Sequence, residues 1–136
     1  MTRSLINNTV SVTAVIGVTP GYFHANENIA DAAAFGTLYQ EVADKVFSDT
    51  NMYCGAVVSP CKVIYRTAWG CPVGGENAIR VTADCNPSYD KERAPAEYIA
   101  AWKEAFLTIV ETLMAALDQT TVTVSFSDGE MVYLSK

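Results

Sequence analysis

The sequence lacks any apolar run near the roughly 18 residues that a membrane-spanning helix needs, so no membrane segment is expected. It is poor in positive charge: 9 Lys and Arg stand against 15 Asp and Glu, for a net charge of −6. A basic footprint for the phosphate backbone is missing, which disfavours nucleic acid as a partner. Histidine is almost absent, with His24 alone, so a histidine-based nucleophile pair or metal centre has little to build on. Nor is a secretory leader expected from the first residues. Met1 to Asn8 offers one basic residue and two apolar ones, against the 7–15 apolar residues of a secretory core, so the expected location is cytoplasmic.

Cysteine is present but not in metal-binding order. Cys54, Cys61, Cys71 and Cys85 have no C-x-x-C knuckle among them, whereas structural zinc sites pair ligands two to four residues apart. In a reducing compartment disulfides do not persist. The four thiols therefore read as small buried hydrophobes, with no metal and no cofactor called for.

What the chain does have is a core. Half of its 136 residues are hydrophobic and 18% are charged, the mix of one globular domain spanning residues 1–136. From Thr9 to Thr19 the pattern alternates, with Val10, Val12, Ala14, Ile16 and Val18 on one face, and Pro20-Gly21 ends the strand. A helix follows, capped at Asn26 or Asn28 with Asp31 in its first turn. It carries Phe35, Leu38, Tyr39, Val42 and Val46 as a stripe and ends near Ser48. Met52 to Thr67 is extended but interrupted by Pro60, so two pieces near 53–58 and 61–67 are expected, at a sheet edge. Asn77 to Cys85 alternates again, with Ile79, Val81, Ala83 and Cys85 on the core side. Pro95 opens a second helix, whose stripe runs through Ile99, Trp102, Phe106, Ile109, Val110, Leu113 and Leu117 to an end near Asp118. Thr121 to Ser127 and Met131 to Leu134 form a terminal hairpin about Ser127-Asp128-Gly129.

The order β-α-β-β-α-β with an added strand, under right-handed crossovers, predicts an α+β split β-α-β (ferredoxin-like) sheet with both helices on one face. The order is comparable to that of small trimeric tautomerases. Their N-terminal catalytic proline has no counterpart behind Met1-Thr2-Arg3, so that family is not assigned. The uncovered sheet face then carries Thr9, Ser11, Thr13, Arg80, Thr82, Asp84, Thr121, Thr123 and Ser125. Short hydroxyls admit a second molecule more easily than Lys and Glu do, so a homo-oligomer is expected.

The chemistry concentrates in one connection. Tyr65, Arg66, Trp69, Cys71 and Glu76 lie between two strands, with Gly70, Gly74 and Gly75 among them, and Arg80 follows in the next strand. Loops on a rigid scaffold are where sites are built. Arg66 and Arg80 brought to one end of the sheet would clamp a carboxylate or phosphate; the plainer alternative is that each pairs with Glu76 or Asp84. The glycines lack the order of a phosphate loop. Cys71 next to Arg66 has the makings of a nucleophile, with His24 the one available base. Tyr22 and Phe23 suit a hydrophobic staple at the helix start.

These residues define a candidate ligand site of Arg66, Arg80, Trp69, Cys71, Glu76 and Tyr65 for a small anionic ligand. The function expected is an oligomeric small-molecule-binding domain or small enzyme. The alternative is a structural or protein-interaction domain that assembles through its polar sheet face.

Overall fold

The computed structural model describes residues 1–18 and 32–136. The expected helix caps Asn26 and Asn28, together with Asp31, Pro20-Gly21, Tyr22, Phe23 and His24, lie outside the described residues.

Five strands and two long helices follow one another as β1 (Ser11–Gly17), α1 (Ala32–Thr50), β2 (Val57–Val63), β3 (Glu76–Asp84), α2 (Pro95–Ala116), β4 (Thr121–Phe126) and β5 (Met131–Ser135), with single 3-10 turns at Thr67–Trp69 and Pro87–Tyr89. The sheet order is β2-β3-β1-β4-β5, every neighbouring pair antiparallel. Without β5 this is the ferredoxin-like order, the split β-α-β arrangement expected from the chain.

Alternation sets which face each strand buries. Val10, Val12, Ala14, Ile16 and Val18 are at most 3% exposed, and Ile79, Val81 and Ala83 of β3 join them, with Cys85 just past its end. Val122, Val124 and Phe126 complete the strand side. Against it pack Phe35, Tyr39, Val42, Ala43 and Val46 of α1, and Trp102, Phe106, Ile109, Val110 and Leu113 of α2. Both helices therefore bury their 3.6-residue stripes on the same sheet face, which the alternation alone demanded. Pro95 occupies the first turn of α2, where its missing N–H is not needed. Gly129 (φ 94°) closes the β4–β5 turn, and the Asp128 carboxylate there accepts the Glu130 amide at 3.1 Å. Lys103 of α2 reaches across to that carboxylate at 2.5 Å and lies 4.7 Å over the Phe126 ring, tying the hairpin to the helix.

One expectation is corrected. Pro60 does not split β2; Val57–Val63 is one strand paired with β3 throughout, Pro60 opposite Ile79. Its edge position is the reason. The outer side of an edge strand has no ladder to interrupt, so the absent N–H costs no partner there. The strand also starts later and ends earlier than the expected pieces, leaving Tyr65 to Thr67 outside it.

Registers confirm the composition of the uncovered face. Thr13 lies between Thr82 of β3 and Ser125 of β4, and Val15 sits opposite Arg80. On β5 the residues opposite Ser125 and Thr123 are Met131 and Tyr133, both about two-thirds exposed.

Candidate active site

The ladder between β2 and β3 ends at the pair Val63–Glu76, and the twelve residues between them fold into a compact loop. The 3-10 turn at Thr67–Trp69 closes on Gly70 in the left-handed region at φ 105°. The Gly75 amide donates to the Pro72 carbonyl at 2.9 Å, and Gly75 itself adopts φ 94°. A Cβ at Gly75 would lie 2.9 Å from the Val63 carbonyl oxygen, so only glycine lets the loop return tightly enough to start β3 at Glu76.

That return places two of the candidate residues in contact. The Tyr65 hydroxyl donates to Glu76 Oε1 at 2.5 Å, a short bond of the charge-assisted kind. Tyr65 has no ladder partner for its backbone N–H; the Cys71 sulfur accepts it at 3.4 Å. The same sulfur lies 3.4 Å from the Pro72 carbonyl, and Cys71 is 6% exposed. Its contacts are thus with the backbone of its own loop, behind the Tyr65–Glu76 pair. Arg66 stacks on Trp69, its guanidinium carbon 5.8 Å from the ring centre, and Trp69 is 69% exposed. The loop thus presents a phenol–carboxylate pair beside an open aromatic surface.

Arg80 is elsewhere. It lies mid-strand opposite Ser59 of β2 and Val15 of β1, on the uncovered face. Glu76 lies on that face too, four residues away, or about 13 Å along the strand. Arg66 lies past the last β2 residue, and Arg80 lies mid-strand, opposite Ser59. Neither arginine takes the acid that the plainer reading offered. Among the described residues neither forms an ion pair, and Glu76 is held by Tyr65 instead. Arg80 is the cation of the uncovered face that no acid neutralises.

The family model for the SAM lyase family matches residues 7–135, nearly the whole chain. The chain belongs to the SAM lyase family. The match covers the five strands, both helices and all six candidate residues. No curated protein matches the sequence. Among solved structures the chain is similar to a phage SAM lyase in complex with S-methyl-5'-thioadenosine. The TM-score is 0.61 at 10% identity, covering 100% of this chain and 96% of that one. The apo state of a phage SAM lyase aligns equally well, with a TM-score of 0.61, 11% identity and the same coverage. At such identity the likeness is one of fold. Family membership places the protein among small enzymes and small-molecule-binding domains, a choice the sequence reading left open. No described helix is long and apolar enough to cross a membrane.

Sequence reasoning missed a second concavity in this member of the SAM lyase family. It opens at the far end of the sheet, where β3 finishes at Asp84, between the last turn of α1 and the first turns of α2. Trp102 lies on its floor, and periodicity had assigned that residue to the core alone. It is a core residue, 2% exposed and stacked on Phe106 at 5.9 Å. No periodicity tells which edge of a buried indole meets a cleft.

Proposed function

We propose that this chain cleaves S-adenosylmethionine to S-methyl-5'-thioadenosine at a site built around Tyr65 and Glu76. The supporting observation is the 2.5 Å Tyr65–Glu76 bond, at the mouth of the one loop that concentrates Tyr, Trp, Arg and carboxylate. Family membership supplies the substrate class. S-methyl-5'-thioadenosine keeps the methyl, the sulfur and the adenosyl group. The bond that breaks is therefore the one from sulfur to Cγ of the aminobutyrate chain.

A route without water balances as follows. An oxygen of the substrate's own carboxylate attacks Cγ, the C–S electron pair leaves with sulfur, and a five-membered lactone separates from a neutral thioether. The sulfonium charge and the carboxylate charge vanish together, and no proton moves. Such a ring closure depends on orientation, and positioning alone is worth large effective molarities, on the order of 10⁵ M or more. In this reading Glu76, oriented by Tyr65, holds the substrate's ammonium group, whose charge is the same before and after reaction. Arg80 is the cation that meets the carboxylate, and Trp69 with Arg66 offers a stacking surface for the adenine. Cys71 keeps Tyr65 in place from behind. The anionic ligand expected from the two arginines becomes the carboxylate end of a larger, cationic substrate.

The test is direct. The purified chain is incubated with S-adenosylmethionine and the products are resolved by mass. S-methyl-5'-thioadenosine with an equimolar amino-lactone is expected, and Glu76→Gln, which loses a charge-assisted hold of about 1.5–3 kcal/mol on the ammonium group, lowers its rate about tenfold to a hundredfold. Homoserine formed directly, with solvent oxygen, would replace ring closure by hydrolysis. No thioether product would end the proposal. We also propose that the active particle is a homo-oligomer formed through the uncovered face, where Arg80 lies among Thr13, Thr82 and Ser125. Light scattering on a sizing column reads this, and a 14.7 kDa particle at micromolar concentration refutes it.

A further inference from the structure

Two nearly buried side chains of α2 each keep a hydrogen-bond donor open to solvent. Tyr98 is 8% exposed and Trp102 2% exposed. Neither the Tyr98 hydroxyl nor the Trp102 Nε1–H makes a hydrogen bond among the described residues. No side-chain polar atom there is both occluded and unpaired, so each of these two reaches an opening. Both line the same cleft of about 930 Å³ at the Asp84 end of the sheet. Burial, with the neighbouring thiols and Asp90, raises the phenol of Tyr98 above its usual value. It is therefore a protonated donor at neutral pH.

The walls mix aromatic rings with the charged side chains of Asp84, Asp90, Lys91, Glu92 and Arg93. Phe47 and Tyr53 meet edge to face at 6.2 Å and stand half-exposed at the cleft's side. Asp84 is an exposed carboxylate in no ion pair among the described residues, able to accept from a pair of hydroxyls. Asn86 spends its carbonyl oxygen on Ser88, at 3.0 Å to the amide and 2.6 Å to the hydroxyl, and retains its NH2 donors. The Tyr98 and Trp102 donors, open to the cleft, suit a ligand with acceptor atoms, such as ring nitrogens. The aromatic part of the wall suits a planar ring, and the Asp84 carboxylate suits a sugar diol. The volume holds a bicyclic base with its ribose.

We propose that this cleft is a second binding site, for a purine nucleoside, separate from the Tyr65–Glu76 site. From Glu76 to Asp84 is about 27 Å along β3, so one small molecule does not reach from one site to the other within a protomer. The site does not rest on the cleavage reaction, and its test uses no turnover.

Adenosine is the probe, and the indole N–H resonance of Trp102 is the reporter. Trp69→Phe removes the other indole signal. A saturable shift of the Trp102 resonance is expected. Tyr98→Phe, which loses only the hydroxyl, weakens the half-saturation point about tenfold with the melting temperature nearly unchanged. Should Tyr98→Phe fail to fold, Asp84→Asn, at an exposed strand end, is read the same way and is expected to weaken binding. Arg66→Ala, which removes a group assigned above to the adenine at the other site, leaves the titration as it was. Three results overturn the proposal: a Trp102 resonance that stays put up to the solubility limit of adenosine, an affinity equal in Tyr98→Phe or Asp84→Asn, or loss of the shift in Arg66→Ala. The last would assign the nucleoside to the Tyr65–Glu76 site. A negative result here leaves the cleavage assay, run separately, to decide the reaction.

Discussion

Tyr65→Phe isolates a single hydrogen bond. Phenylalanine keeps the ring and removes the hydroxyl that donates to Glu76 Oε1 at 2.5 Å. A hydrogen bond to a charged group is worth about 1.5–3 kcal/mol, and the partly solvated position of this one puts it near the lower figure. If the pair orients the carboxylate for substrate, loss of that orientation lowers kcat about tenfold to a hundredfold, at 1.4 kcal/mol per decade. Neither residue belongs to the hydrophobic core, so the melting temperature falls by no more than the few degrees that about 1.5 kcal/mol implies. The assay is a cycle of Tyr65→Phe, Glu76→Gln and the double variant, each followed by release of S-methyl-5'-thioadenosine and by a thermal melt. Groups acting as a unit are non-additive, so the double variant is expected to be scarcely slower than Glu76→Gln alone. Strict additivity of the two losses would refute the pair as a unit. A large fall in melting temperature in Tyr65→Phe would show that the bond serves the loop and not the substrate.

Arg80→Lys keeps the charge but loses the planar fork, so KM for S-adenosylmethionine rises with a nearly constant melting temperature; an unchanged KM removes Arg80 from the site. Gly75→Ala forces a Cβ to within 2.9 Å of the Val63 carbonyl at a φ of 94°, and costs about 1–3 kcal/mol, read as a lower urea midpoint. Burial pushes the Cys54 thiol up to about 12 and Cys85 up to about 11, against an ordinary 9.0. The folded state therefore favours the neutral thiols. Their contribution is full below the unfolded value and is lost as pH rises through the folded ones, so melting temperature falls between about pH 9 and pH 12. In Cys54→Ala that alkaline fall is shallower, and an identical profile would refute the assignment.

Most of the architecture was readable from the chain because its signals are local and periodic. Val10 to Val18 and Ile79 to Cys85 alternate with period two, and Trp102 to Leu117 recurs at helical spacing; each pattern names its buried face before any partner is known. Given β-α-β-β-α-β, the handedness of crossovers leaves few sheets to choose from, and the ferredoxin-like one is found. The loop from Tyr65 to Glu76 was also readable as a site, from its composition. What the chain could not convey is distance. Whether Pro60 breaks a strand depends on which side of the sheet it meets, and only the edge position of β2 makes it harmless. Where Arg80 sits relative to the loop depends on register, which sets it opposite Ser59. Glu76 finds Tyr65 rather than an arginine because Gly75 lets the loop close on Val63. Tyr98 and Trp102, whose donors form no hydrogen bond among the described residues, lie where the ends of α1, β3 and α2 meet. A period of 3.6 residues says that a side chain is buried, and tertiary contact alone decides what its polar edge is left to face.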